Sequence, residues 1–166
     1  MPSFLVDTNI WAYWFNPQKY PEQHRNIEKH LKELPRETKL SISVITWGEI
    51  CVGLNESMRD ESSLHVRHLQ FITAKKPLIE YISTHTAEEY GKLRGRLGPI
   101  TPDRKKRLSL EELVDRGTWL ELGSLENDLW IAAQAITKHL TLVTNDELKE
   151  IREVAGDDLH IENWAA

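Results

Sequence analysis

The amino-acid sequence predicts an α/β fold with a largely parallel sheet. Short apolar or β-branched runs alternate with longer segments of helical period, the pattern that successive βαβ units leave in a chain. Helix-start signatures fall between those runs, where such units need them. At 166 residues and 40% hydrophobic, the chain carries enough apolar material for one substantial core, and its length gives no reason to divide it. A single domain over residues 1–166 is expected.

Five runs are strand candidates: Phe4–Val6, Lys39–Ser43, Pro77–Ile82, Leu140–Thr144 and Leu159–Trp164. Between them, Thr46 with Glu49, Thr86 with Glu89 and Ser109 with Glu112 match the S/T-x-x-E capping box, in which hydroxyl and carboxylate satisfy backbone N–H groups at a helix start. These predict helices near 46–58, 86–97 and 109–117. Helical period adds two more near 22–34 and 61–75, and a segment over 126–139 that is the most apolar and so the most buried. The run Gly98-Pro99-Ile100-Thr101-Pro102, followed by Asp103 and the cations Arg104, Lys105, Lys106 and Arg107, breaks the pattern. An exposed excursion near 98–123 is expected there. There is no internal repeat or low-complexity segment.

Charge and cysteine content narrow the function classes. A net charge of −5 argues against a protein that holds nucleic acid by overall positive charge and leaves room only for a local basic patch. Cys51 is the only cysteine, so no intramolecular disulfide forms, a zinc–thiolate site is excluded, and the reducing cytosol is the natural compartment. The start MPSFLVDTN has no basic segment and too short an apolar stretch for a signal peptide, and no run approaches ~20 apolar residues. A soluble, cytoplasmic protein is expected.

Four acids need explaining: Asp7 closing the run FLVD, Glu49 inside ITWGEICVGL, Asp128 opening DLWIAAQAI, and Asp146 just after TLVT. In an open parallel sheet, ligands collect beyond the carboxyl ends of the strands. Asp7 follows the first strand and Asp146 lies just past the fourth, so both emerge at that edge. Glu49 lies about one turn into its helix with Ile45 and Val52 on its own face, which sets it beside apolar side chains. Asp128 precedes Ile131, Ala132 and Ala135 and heads the core-facing stripe of its helix. Each acid also has a plain reading. Asp7 would cap a helix starting near Asn9, Asp128 would answer a helix dipole, Asp146 would cap the run ELKEI, and Glu49 would complete the Thr46 box. Caps account for one acid at a time and leave unexplained why four of them project to one sheet edge. Gathered carboxylates repel and resist desolvation unless a cation neutralises them, so their meeting implies a divalent metal site.

The succession VDTNIW, ITWGEI, ENDLWIAAQA, TLVTNDE and LHIENW resembles the PIN-domain ribonucleases, specifically the VapC-type toxins of prokaryotic toxin–antitoxin pairs, over nearly the whole chain. That resemblance implies a PIN-like three-layer fold, with a central parallel sheet of about five strands flanked by helices. It implies that Asp7, Glu49, Asp128 and Asp146 bind Mg2+ or Mn2+ and support hydrolysis of RNA phosphodiester bonds. A homodimer and a small cognate antitoxin are implied as well. Two features depart from the family: Leu148-Lys149-Glu150-Ile151 stands where an aromatic often follows the last acid, and Gly98 to Gly123 is longer than in compact members. Neither removes a candidate ligand.

In-line hydrolysis of a phosphodiester needs an activated water and a positive centre for the charge that develops on phosphate and leaving oxygen, which hard cations on oxygen ligands supply. Magnesium takes few direct protein contacts, so Asp7 with one or two of the others is expected to touch it. Thr8, Asn9, Thr144 and Asn145 flank the acids, either to orient ligands and waters or as ordinary turn and cap residues. Arg94, Arg96 and the cations of 104–107 are candidates for phosphate contact, with a solvated charge run as the alternative. Trp11 and Trp14 would stack on bases or serve as core, antitoxin or dimer contacts. The seven histidines lack ligand spacing, no serine or cysteine has a base placed by the sequence, and there is no Gly-rich phosphate loop. Two other functions stay open: a catalytically silent PIN-like RNA-binding or scaffold protein, and a phosphotransferase with Asp7 as nucleophile. The latter wants a second acid two residues on, where this chain has Asn9.

Overall fold

The computed structural model of the chain describes residues 3–56, 62–97 and 119–166. The predicted helix near 109–117 and the cations of 104–107 lie outside the described residues.

Five strands form one sheet: β1 Ser3–Val6, β2 Lys39–Ser43, β3 Leu78–Glu80, β4 Thr141–Val143 and β5 Ile161–Glu162. Every neighbouring pair is parallel and the order is β3-β2-β1-β4-β5. Helices α1 Thr8–Phe15, α2 Pro21–Glu33, α3 Val44–Glu56, α4 Ser62–Lys75, α5 Thr84–Leu97, α6 Trp119–Lys138 and α7 Lys149–Ala155 connect and flank the strands. The expected α/β architecture is therefore present, with three strands, β3, β4 and β5, shorter than the runs that announced them.

Strand alternation sends side chains to two cores, one on each face. Leu5 and Leu142 point to a core with Leu93, Leu129, Ala132 and Ile151 from α5, α6 and α7. Phe4, Val6, Ile42 and Val143 point to the opposite core, with Ile10, Trp11, Trp14, Ile27 and Ile72 from α1, α2 and α4. This is the three-layer arrangement. The chain builds outward from β1 through β2 to β3, then crosses to the other side of β1 for β4 and β5. The β1/β4 boundary is thus the point where winding reverses, and a crevice opens beyond the strand ends at such a point.

Three local expectations need correction. The capping boxes at Thr46 and Thr86 do not form, because α3 and α5 begin earlier. Ser43 Oγ accepts from Ile45 N at 3.0 Å and Ser83 Oγ from Thr86 N at 3.2 Å, so serines just ahead of each threonine do the capping. Thr46 is fully buried instead, and Glu89 pairs with Lys92. Helix α6 starts at Trp119 rather than near 126, so the last part of the expected excursion is helical. Leu120, Glu121, Leu122, Leu125 and Glu126 are strong helix formers, and a single interior Gly123 costs about 1 kcal/mol, too little to break them. Finally, Trp11 and Trp14 are buried at 0% and 6% exposure, with Trp11 Nε1 donating to Val6 O and Trp14 Nε1 to Glu28. They are core residues and offer no face to a base.

Helix α6 ends in a tight reversal that aims β4 at the crevice. His139 takes φ +53°, its N–H donates to Ile136 O at 3.1 Å, and Leu140 N donates to Ala135 O at 2.9 Å, a Schellman motif closed without glycine. Among the described residues no helix is long and apolar enough to cross a membrane.

Candidate active site

Sheet register puts the first and fourth strand ends side by side. Val6 pairs with Ile42 on one side and Val143 on the other, and Asp7 N continues the ladder by donating to Val143 O at 3.0 Å. Asp7 and Thr144 are therefore neighbours in space although 137 residues apart in sequence.

Asp7 is the buried centre of the arrangement at 6% exposure. Its Oδ1 accepts from Thr8 N at 2.7 Å, capping α1, so the cap reading of this acid holds alongside any other role. Its Oδ2 accepts from Thr144 Oγ1 at 2.8 Å and from Asn9 Nδ2 at 3.2 Å. The same Asn9 amide reaches Asp146 Oδ2 at 2.9 Å and Thr144 Oγ1 at 3.1 Å, so one donor group bridges two carboxylates. Thr144 Oγ1 also accepts from Asp146 N at 3.1 Å, which fixes the turn carrying that acid. Behind these, Asn145 N donates to Asn9 Oδ1 at 3.1 Å, and Asn163 Nδ2 to Asn145 Oδ1 at 3.1 Å. A run of asparagines at the strand ends thereby locks the Asn9 amide toward the acids.

Glu49 joins from α3. Its Oε2 accepts from the Thr8 hydroxyl and its Oε1 from Asn127 Nδ2 at 2.7 Å. Thr8 thus links Glu49 to Asp7, using its hydroxyl for one and its backbone N–H for the other. Asp128 follows Asn127 on α6, and the electrostatics register its approach. Its carboxyl is pushed up to about 7, first by burial and then by the charges of Asp7, Asp146 and Glu49. Asp7 is pushed up to about 6 by burial, against the lowering effect of Thr144 and Thr8, with Glu49 and Asp146 adding to the rise. All four predicted acids therefore lie within electrostatic reach of one another at the winding reversal.

Among the described residues, the charges that act on Asp7 and Asp128 are those of the other acids. As the side chains stand, no three or more His, Cys, Asp or Glu among the described residues form a ready-made metal cage. Oxygens that would face a cation are held instead by Thr8, Asn9, Thr144 and Asn127. The donor set is nonetheless entirely hard oxygen, and a cation that keeps most of its water needs only one or two carboxylates directly. The residues present fit a hydrated Mg2+ or Mn2+.

The predicted cations Arg94 and Arg96 both have partners within the chain. Arg94 Nε donates to Glu126 Oε1 at 2.9 Å, and Arg96 Nη1 donates to Val154 O at 2.9 Å. Sequence reasoning missed the group around Arg94: Glu126 also accepts from the Tyr90 hydroxyl, and Tyr90 lies flat on Trp130 with ring centroids 3.9 Å apart. It also missed Asn127. Nothing in the order of residues links Asn127 to an acid 78 positions away, although its place next to Asp128 was a hint.

A PIN domain family model matches residues 4–156. Ribonuclease VapC2 of Rickettsia felis is 30% identical over 161 residues, which span 97% of this chain and 97% of that protein. Among solved structures, VapBC2 from Rickettsia felis bound to a promoter DNA fragment matches with a TM-score of 0.63 and 26% identity, covering 98% of each chain. VapBC-1 from nontypeable Haemophilus influenzae matches with a TM-score of 0.64 and 22% identity over 99% of each chain, a likeness of fold. With its sheet order and these likenesses together, the chain belongs to the PIN-domain family.

Proposed function

We propose that this protein is a divalent-metal-dependent endoribonuclease that hydrolyses RNA phosphodiester bonds, and that it is the toxin of a VapBC-type toxin–antitoxin pair. The observation that carries the reading is the bridging of Asp7 and Asp146 by one Asn9 amide, with Glu49 tied in through Thr8 and Asp128 coupled by charge. A relative named as a ribonuclease over almost its full length supports RNA as substrate. The solved VapBC2 assembly of the same fold, bound to promoter DNA, supports an antitoxin partner, and a homodimer is part of the same proposal. The whole chain acts as one domain, and the cytoplasm is its compartment.

Asp7, Glu49, Asp128 and Asp146 are the metal-binding and catalytic residues in this reading, with Mg2+ as the cofactor and Mn2+ as its substitute. When bound, the cation supplies an acidified water and a positive centre for the scissile phosphate. The chain's own residues do the rest. Thr144 and Thr8 keep Asp7 ionised against its burial, and Asn9 sets the spacing of Asp7 and Asp146. Thr144 and Asn9 stand closest to the acids as candidate substrate contacts, with Arg94 and Arg96 as candidates for the flanking phosphates.

The test is cleavage of structured and single-stranded RNA by purified protein in Mg2+, Mn2+ or chelator. Cleavage lost in chelator and in Asp7→Asn is the expected result. Equal cleavage under all conditions contradicts the reading, and no cleavage by the unsubstituted protein with metal returns the silent RNA-binding or scaffold alternative.

A further inference from the structure

Glu49 arrives on α3, away from the strand ends that fix Asp7 and Asp146, so its carboxylate needs an orientation of its own. Thr8 bonds both Glu49 and Asp7, which sets two like charges close together, and like-charge repulsion opposes that placement. Two donors hold Glu49 in place. The Thr8 hydroxyl takes Oε2, and Asn127 Nδ2 takes Oε1 at 2.7 Å. One donor on each oxygen fixes the plane of the carboxylate as well as its position. About half of its roughly four lone-pair sites stay available.

The residue type matters as much as the contact. A lysine or arginine at 127 would cancel charge that the acids need for a cation, and an aspartate would add a fifth carboxylate beside four. A neutral amide orients Glu49 and leaves its charge intact. Because Asn127 immediately precedes Asp128, one turn of α6 both contributes an acid and steers another.

We infer that Asn127 is a positioning residue: through its hydrogen bond to Glu49 it sets the divalent-cation affinity of the acid cluster, without touching RNA or the reacting atoms. This rests on the metal-nuclease reading above. Residues that orient metal ligands typically change affinity by about 10- to 100-fold when removed.

The experiment measures Mn2+ binding to the purified full chain by electron paramagnetic resonance, without RNA, for the unsubstituted protein, Asn127→Ala, Asn127→Leu and Asp7→Asn. Melting in chelator and RNA cleavage across a Mn2+ titration accompany it. Leucine keeps the branching of asparagine at Cγ, though it is bulkier, and removes the donor, so it carries the test if the alanine variant folds poorly. Both 127 variants are expected to bind Mn2+ about tenfold or more weakly, to melt as the unsubstituted protein does, and to regain cleavage as Mn2+ is raised, with the KM for RNA unmoved. Unchanged Mn2+ affinity overturns the inference, as does a loss of affinity matched by a fall in melting temperature. Asp7→Asn separates the two levels. If it retains full Mn2+ binding, the metal-nuclease reading itself fails; if it loses binding while the 127 variants keep it, only the role of Asn127 fails.

Discussion

The Thr144 hydroxyl donates to Asp7 Oδ2 across 2.8 Å, joining the residue after β4 to the residue after β1. That contact stands where the winding of the sheet reverses, and it accounts for how a carboxylate at 6% exposure is accommodated. Asp7 has lost most of its water and receives three donors in exchange, Thr8 N, Thr144 Oγ1 and Asn9 Nδ2. Thr144 in turn accepts from Asn9 and from Asp146 N, so a single hydroxyl ties three site residues into one unit.

Thr144→Val keeps the shape of the side chain and removes the hydroxyl. Asn9 and Asp146 N then lose an acceptor and Asp7 loses a donor in a buried place. Unmade buried hydrogen bonds of this kind cost about 1–3 kcal/mol. Urea unfolding is expected to register that loss, and RNA cleavage to fall by about 10-fold or more, as for residues that orient metal ligands. A variant as stable and active as the parent would remove Thr144 from the account.

Asp128→Asn is expected to stabilise the metal-free protein at neutral and higher pH. The folded carboxyl titrates at about 7 against an ordinary 3.8, so the folded chain holds its proton more tightly than the unfolded chain. The resulting penalty is absent below pH 4, grows as pH rises through 7 and is complete above. Discounted for the partial exposure of this side chain, it amounts to about 2 kcal/mol. Melting in chelator at pH 8 should rise by several degrees in the variant and stay unchanged at pH 4.

His68 gives the opposite pH dependence. It is 8% exposed, stacked on Phe15 at 4.7 Å, and pushed down to about 4, chiefly by burial. The unfolded chain therefore takes up a proton more readily, and stability is lost as pH falls from about 6.5 toward 4. Discounted for solvent screening, the loss is about 2 kcal/mol. His68→Phe should flatten denaturant midpoints over that window, and an unaltered slope would contradict the assignment.

Helix caps offer a check on local structure. Ser83→Ala removes the acceptor for Thr86 N and is expected to cost about 1 kcal/mol. Glu89→Ala, on an i,i+3 helical pair with the exposed Lys92, is expected to change stability by only about 0.2–0.5 kcal/mol. The reverse ranking in thermal melts would restore the Thr86 capping box.

How much of this was legible in the residues depends on the range of the interaction. Phe4–Val6 was readable as a strand because a buried parallel strand is apolar on both faces and stands out from its flanks, and Lys39–Ser43 because its apolar residues Leu40 and Ile42 alternate with polar ones. The common edge of Asp7 and Asp146 was readable because Asp7 directly follows β1 and Asp146 lies three residues past the end of β4, so strand direction brings them together. The caps misled because S/T-x-x-E matched at Thr46 and Thr86, while Ser43 and Ser83, three residues ahead of each, cap helices that start earlier. Trp11 and Trp14 were ambiguous because an indole suits a core as well as a base. The Asn127–Glu49 bond lay out of reach, since it depends on how α3 and α6 cross. No local pattern encodes that crossing.

In the proposed reading, Asp7, Glu49, Asp128 and Asp146 hold divalent metal in one shared pocket. Anomalous diffraction from crystals soaked in Mn2+ tests it most directly. A single strong peak is expected within about 2.5 Å of a carboxylate oxygen of Asp7 and of one or two of the other three acids, and it should vanish in Asp7→Asn crystals. A peak elsewhere on the surface, or none at saturating Mn2+, would contradict the account.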